Sequence, residues 1–401
     1  MTNSDAARLG ADGLCDPARH VVGAYGDDDE GRLVIAVAGL HGNEPAGVEA
    51  IRRVLARLTR DRVPMKGRFV GIAGNVAALD ERRRFIDLDL NRAWTEDRVE
   101  RLRNGEAASA SCEDREQREL IELLEGLVRS AGREVYFFDL HTTSAPSPPF
   151  TLIGDTLRNR AIARRCPVPT VLGLEEQLDG GLLEWINNLG PVAVGFEAGQ
   201  HDDPKSIDYH EAFLLHMLIG CGLVSAARVS QPAPPIDLLR AATRGLPSFV
   251  EVRYRRGVTP DDEFSMNPGY ANFTPVRVGE ALATDRFGRI LARESGVVLL
   301  PLYQPEGSDG FFLGRRVRPL WLGISSILRR LGVGELAGAL PGVTRKPHDP
   351  DSLVVDPLVA RWFTYEIFHL LGFRKKRPLG DRLVVSRRRH DIGPASPNST
   401  R

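Results

Sequence analysis

The sequence predicts an α/β protein: a mixed, mainly parallel sheet flanked by helices, followed by a small β-rich domain and a helical carboxy-terminal extension. Three observations lead to this reading. Short apolar runs alternate with helix-length amphipathic stretches through the first half. Composition then shifts at the proline-rich "SQPAPPID", residues 230–237, into short strand-like pieces with glycine and proline turns. From about Leu320 the pattern changes again, to longer apolar segments such as "WLGISSILRRLGVGELAGAL" and "DPLVARWFTYEIFHLLGFRKKR". The division that follows is an amino-terminal segment at 1–29, an α/β domain at 30–229, a β-rich domain at 238–319 and an extension at 320–401 with a polar tail.

The strands of the α/β domain are expected at Leu33–Ala38, Arg68–Ala73, Val135–Leu140, Thr170–Leu174 and Val192–Phe196. Each is a compact apolar run of the kind that a sheet buried on both faces requires. Helices are expected from Pro45 to Leu58, Asp114 to Ala131 and Ser206 to Leu223; in the second, Leu120, Ile121, Leu124 and Leu127 recur at helical spacing.

Composition narrows the function. The 401 residues are 42% hydrophobic and 26% charged, enough for a substantial core. Fifty-three basic residues balance fifty-three acidic ones, which gives the molecule no overall bias toward nucleic acid or anionic membrane. Cys15, Cys112, Cys166 and Cys221 are far apart and form no CxxC pair, so reduced thiols are expected rather than a disulfide framework or a thiolate metal site. No apolar run approaches the length of a membrane span, and the first residues carry no secretory pattern. The expectation is a soluble, cytoplasmic protein.

Chemistry concentrates at the predicted carboxyl edge of the sheet, where open α/β sheets bind ligands. "GLHGNEPAG" places His41 and Glu44 three residues apart in the turn after the first strand. Alone, such a pair reads first as a turn and a helix-start acid. "EVYFFDLHTT" adds His141 at the end of a buried strand, with Asp139 on the same strand face, where its carboxylate can orient the imidazole. His41, Glu44 and His141 form a His2Glu set, one of the arrangements of catalytic zinc. "PVAVGFEAGQ" ends in Glu197 at the same sheet edge, a carboxylate outside the ligand set that can move protons. Between the metal segments, "RRRFIDLDLNRAW" supplies Arg82, Arg83, Arg84, Asn91 and Arg92; guanidinium groups suit a carboxylate or a developing oxyanion, although three consecutive arginines read otherwise as a solvated basic loop.

In this order and at these spacings, "GLHGNEPAG", "RRFIDLDLNR", "FFDLHTT" and "GFEAGQ" resemble the succinylglutamate desuccinylase/aspartoacylase family, over roughly residues 30–315. The resemblance implies a carboxypeptidase-like α/β domain with a β domain capping the site. It further implies one zinc per chain at His41, Glu44 and His141, and a general base at Glu197. Arg84 matches the arginine that stabilises the oxyanion, Asn91 and Arg92 match the pair that grips a substrate carboxylate, and Asp89 supports their loop.

Two departures bear on the substrate. The family's additional arginine, about ten residues before the base, is missing: no lysine or arginine occurs from Cys166 to Pro204, and Asn187 and Asn188 stand there instead. Where the family's β-domain tyrosine is expected, "SDGFFLG" offers Phe311 or Phe312. The expected activity is therefore zinc-dependent hydrolysis of a small N-acyl amino acid with one carboxylate and a neutral side chain. A metallocarboxypeptidase and an inactive zinc-binding interaction module are the competing readings.

Other features weigh less. "GVGELAG" lacks the spacing and the preceding strand of a nucleotide-binding loop, and neither GxSxG nor HExxH occurs. His201 reads first as a solvated loop histidine, and His210 and His216 as packing or surface groups. The basic end of "FHLLGFRKKR" is read as packing on its own protein rather than on a membrane. The extension has no assigned role; an interface of a homo-oligomer and a cover for the cleft are both compatible with it.

Overall fold

The computed structural model describes residues 17–27, 31–105, 111–131, 134–228, 236–347, 349–356, 358–359, 365–388 and 390–393. Most of "SQPAPPID" and the polar tail after residue 393 lie outside the described residues. An eleven-stranded sheet runs through the molecule in the order β1-β3-β2-β4-β7-β5-β6-β8-β14-β13-β10. The strands are β1 (Val21–Tyr25), β2 (Arg32–Ala38), β3 (Gly67–Ala73), β4 (Val135–Thr143), β5 (Phe150–Ile153), β6 (Thr170–Leu172), β7 (Val192–Gln200), β8 (Phe249–Gly257), β10 (Pro275–Val276), β13 (Gly296–Leu299) and β14 (Asp309–Arg316). β9 (Ser265–Met266), β11 (Ala281–Asp285) and β12 (Gly288–Leu291) make a separate three-stranded sheet.

Strands β3, β2, β4 and β7 run parallel, so their carboxyl ends open on one edge. Alternation along β2 explains why both faces are covered. Val34, Ala36 and Ala38 enter one core with Phe138, Phe196 and Phe213, while Ile35 and Val37 enter the other with Phe137, Leu120 and Leu124. The helices Ala46–Arg60 and Lys205–Gly220 cover the first face, and Cys112–Ser130 the second. Ser111 caps the last of these by accepting a hydrogen bond from Asp114 N at 3.1 Å.

All five expected strands are present, and β4 and β7 extend past their expected ends to Thr143 and Gln200. Those extra residues carry the chemistry: polar side chains end an apolar run in the sequence without ending the strand. Edge strand β1 and the short β5 carry too little periodicity to be read from sequence. The β-rich segment is continuous with the main sheet, because β8 pairs parallel with β6 and β14 and β13 extend it antiparallel.

The helical extension requires correction. The helix Pro319–Arg330 forms, but Gly332, at φ +68°, ends its last turn and a short 3-10 segment, Val333–Ala339, follows. Beyond it lie four antiparallel strands, β15 (Val343–Lys346), β16 (Asp349–Val355), β17 (Phe373–Leu379) and β18 (Arg382–Arg387), in the order β15-β16-β18-β17. "SLVVD" and "RLVVS" are short β-branched runs, and "LGDR" is a hairpin turn with Gly380 at φ +59°. Those signals outweigh the helical spacing read there; within "DPLVARWFTYEIFHLLGFRKKR" the described helix is Tyr365–Leu370.

Buried ion pairs tie this module to the α/β domain. Asp155 accepts from Arg160 Nη2 at 2.7 Å, and its carboxylate lies 3.3 Å from Arg374 Nη1 and 3.5 Å from Arg329 Nη1. Arg374 also donates to Glu176 at 2.6 Å and to Glu251 at 2.8 Å, and His369 Nδ1 lies 2.9 Å from Glu251. Burial would raise the Glu251 carboxyl, yet His369 and Arg374 beside it hold it down at about 2. Such pairs are costly to break singly because a buried charge is left behind.

Two measurements check this account. Arg374→Met is expected to lower unfolding stability by about 3 kcal/mol in urea titration at pH 7. Because Glu251 is depressed in the folded state, its stabilisation is full above about pH 4.5 and is lost as the pH falls toward about 2. The stability difference between wild type and Glu251→Gln should therefore shrink over that window.

Candidate metal and substrate site

The parallel register of three neighbouring strands assembles the site. β2 ends at Ala38, and Gly39 turns the chain at φ +68° to present His41 and Glu44. β4 lies beside β2 and carries Asp139 and His141; β7 lies beside β4, with Glu197 directly opposite His141. Gly42 lets the loop of Arg84 press against the histidine turn: a Cβ there would fall 2.0 Å from the Ala78 backbone, and Gly42 N donates to Arg84 O at 3.2 Å.

The three expected ligands converge in a buried group, their donor atoms within 4.8 Å of one another. His41 Nδ1 lies 2.8 Å from Glu44 Oε1, and His141 Nδ1 lies 3.1 Å from Glu44 Oε2. The opposite nitrogens have their own carboxylates: His41 Nε2 is 3.1 Å from Asp89 Oδ1, and His141 Nε2 is 3.1 Å from Asp139 Oδ1. Ionised carboxylates only accept, and each ring meets one at both nitrogens, so a neutral imidazole leaves one of its nitrogens with a lone pair facing an anion. A lone pair facing a carboxylate needs a positive charge between them, either a proton or a metal cation. The donor set thus fits a divalent metal, with Asp89 and Asp139 fixing both imidazoles in the ligating tautomer.

Electrostatics agree. Burial would raise the Glu44 carboxyl, but His41 and His141 hold it well below the usual range. Burial would lower the His141 imidazole, but Asp139 and Glu44 hold it well above. Glu197 has no cation at bonding distance. Burial pushes its carboxyl up to about 8, with Glu44 and Asp139 adding to the rise and His141 and Arg84 opposing it. Its Oε2 is buried and has no hydrogen-bond partner among the described residues.

Arg84 donates to Asp89 Oδ2 through Nε at 3.3 Å and Nη2 at 3.0 Å, with Nη1 3.8 Å from Glu44. Asn91 Oδ1 accepts from Leu182 N at 3.0 Å, and its amide nitrogen stands 3.5 Å from His141 Nε2, a neighbour and not an acceptor when that nitrogen carries hydrogen. Arg92 is held by Asn91 O at 2.8 Å and by Asp309 at 2.5 Å. His41, Glu44, Arg84, Asn91, Arg92, Asp139, His141 and Glu197 line one cleft of about 160 Å³, and Asp89 stands behind His41 and Arg84.

The sequence reading missed several contributors. His201 is a cleft residue, not a solvated one: its backbone N donates to Thr143 O at 3.0 Å, which draws the ring inward. Its Nδ1 is 2.7 Å from Thr142 Oγ1 and its Nε2 3.2 Å from Gln304, which also accepts from Asn43. Burial lowers its pKa, so it is neutral near pH 7. Glu113, wholly buried, accepts from the backbone N of Ile86, Asp87 and Leu88 and from Asn75, and so shapes the loop of Arg84. Phe312 lines the cleft, whereas Phe311 packs in a separate core with Val276 and Leu282. Asn187 faces Asn159 at 2.6 Å and Asn188 is exposed, so neither replaces the missing arginine. His210 is a buried packing group against Phe196, and His216 is bound to Arg165 O, as the sequence reading expected.

A second buried group, His20, Glu116 and Glu119, lies elsewhere. Arg19 pairs with both carboxylates and Val76 N donates to Glu116, so this group fastens the first described segment to the helix Cys112–Ser130. Among the described residues no helix is long and apolar enough to cross a membrane.

The chain is similar to known proteins in sequence and in fold. Residues 30–218 match the model of the succinylglutamate desuccinylase/aspartoacylase catalytic domain. Succinylglutamate desuccinylase of Pseudomonas fluorescens (strain SBW25) is 31% identical over 114 residues, 28% of this chain and 32% of that protein. The chain spans 32% of the length of the first curated relatives it matches. Among solved structures, a succinylglutamate desuccinylase/aspartoacylase from Rhodobacter sphaeroides has a TM-score of 0.52 at 19% identity, covering 72% of this chain and 86% of that one. The product-bound ectoine utilization protein EutE (DoeB) from Ruegeria pomeroyi has a TM-score of 0.53 at 16% identity, with 73% and 87% covered. These likenesses show a common fold, and residues 30–218, the domain that holds the site, are similar to the catalytic domain of the succinylglutamate desuccinylase/aspartoacylase family.

Proposed function

We propose that the protein is a zinc-dependent amidohydrolase that removes the acyl group from a small N-acyl amino acid carrying one carboxylate and a neutral side chain. The observation that carries this reading is Glu197: a buried carboxylate with an unpartnered oxygen, set beside the His41, Glu44 and His141 group in one cleft with two arginines. A site that only stored metal would need the three ligands and not this acid.

When bound, zinc supplies Lewis acidity, polarising the scissile carbonyl and acidifying water. The chain's own residues do the rest. With a cation held at the neighbouring His41, Glu44 and His141 group favouring its ionised form, Glu197 takes the proton of the attacking water and returns it to the leaving amine. Arg84, held in place by Asp89, stabilises the oxyanion. Asn91 and Arg92 hold the substrate carboxylate, and the segment from Leu300 to Phe312 caps the cleft and excludes bulk water.

Size and charge support a small substrate. A cleft of about 160 Å³ is below the roughly 300 Å³ of common ligand pockets, which disfavours a peptide end. Its substrate side is lined by Leu152, Leu174, Leu178 and Leu183, and by the acids Glu175, Glu184 and Asp309. Arg84 and Arg92 are the arginines of that lining. N-acetylaspartate and succinylglutamate, which bring two or more carboxylates, fit this surface poorly.

Purified protein is expected to hold about one zinc per chain by elemental analysis, and Asp139→Asn to weaken zinc affinity by about 10- to 100-fold in chelator competition. Glu197→Gln is expected to keep the zinc and lose about 10²- to 10⁴-fold in turnover. On a panel of N-acyl amino acids, wild type should favour acids with neutral side chains; clear preference for N-acetylaspartate would contradict the substrate assignment.

A further inference from the structure

We propose that Asp309 is the specificity-determining residue of the cleft, balancing Arg92 so that the site accepts one substrate carboxylate and rejects a second. This rests on the reading of the cleft as an N-acyl amino acid site.

Asp309 is shared between two guanidinium groups. Its Oδ2 accepts from Arg92 Nη2 at 2.5 Å and its Oδ1 from Arg255 Nε at 2.5 Å. Arg255 is anchored in turn to Gln177 O at 3.0 Å, on the loop that carries the cleft-lining Leu174 and Leu178. Asp309 reaches the cleft through a register irregularity. β14 pairs Asp309 with Gly257 and then Phe311 with Arg256, so the strand bulges between them, and both Asp309 and Phe312 line the cleft. A regular strand would send residues three apart to opposite faces.

Charge counting gives the consequence. Arg92, Asp309 and Arg255 together carry one net positive charge. A single substrate carboxylate neutralises it, and Arg92 has a donor to offer, since its Nε is buried without a hydrogen-bond partner. Arg84 adds no capacity for a second carboxylate, because Asp89 balances its charge and its remaining donor serves the oxyanion. A second carboxylate would be left uncompensated in a partly buried cleft beside Glu184, which is costly. Because Arg255 keeps hold of Asp309, the aspartate can release Arg92 to a substrate without becoming an orphaned buried anion.

Neutralising Asp309 raises the net charge of the group to two, whereas neutralising Arg255 lowers it to zero. The test is calorimetric binding to zinc-loaded Glu197→Gln protein, which removes the proposed base and leaves the cleft filled. The probes are N-acetylleucine, N-acetylaspartate and N-acetylleucinamide, the last lacking a carboxylate. Adding Asp309→Asn should improve N-acetylaspartate relative to N-acetylleucine by about tenfold. Adding Arg255→Gln should weaken both acids by about tenfold and leave the amide within about twofold. An unchanged ratio in Asp309→Asn, or parallel losses for all three probes in both variants, would overturn the assignment of Asp309 alone. Absence of binding by every probe to the parent protein would overturn the N-acyl amino acid reading and this inference with it.

Discussion

The site depends on one balance: the Glu44 carboxylate between two imidazole Nδ1 atoms, with each Nε2 held by a second carboxylate. Five groups with fixed roles create a place where positive charge belongs. Parallel pairing of β2, β4 and β7 makes the arrangement inexpensive in conformational terms, because strands that must lie side by side to bury their apolar faces bring the histidines and Glu197 to one edge. The fold is thus stabilised by burial away from the site, and the site inherits rigidity from the sheet.

A second layer of carboxylates organises the arginines. Asp89 links His41, Arg84 and the backbone of Asn91, so the histidine side and the arginine side of the cleft share one support. Glu113 fixes the same loop from below through three backbone N–H groups. The carboxy-terminal module meets the other side of the cleft, where Arg374 holds Glu176 next to the cleft-lining Glu175. Its buried arginines give the extension a structural role that its sequence did not disclose.

Legibility in the sequence followed the physics of each feature. The parallel strands were readable because burial on both faces leaves unbroken apolar runs, and the ligands because polar residues ending such runs stand out. Glu197 and His141 were found for the same reason. Long-range partners were not readable: Glu113 looks like any helix-start acid, and Asp309 lies in a segment whose aromatic residues draw the eye first. His201 was misjudged because exposure of a loop histidine depends on a backbone hydrogen bond to Thr143, far away in sequence. The extension was misread as helical because leucine-rich spacing was weighed above its β-branched runs and its Gly380 turn.

The most direct test of the central claim is anomalous diffraction at the zinc edge from zinc-loaded crystals. The account predicts one strong peak in contact with His41 Nδ1, the Glu44 carboxylate and His141 Nδ1, with Glu197 close by and not coordinated. A peak at His20, Glu116 and Glu119 instead, or none at the His41 group, would contradict it.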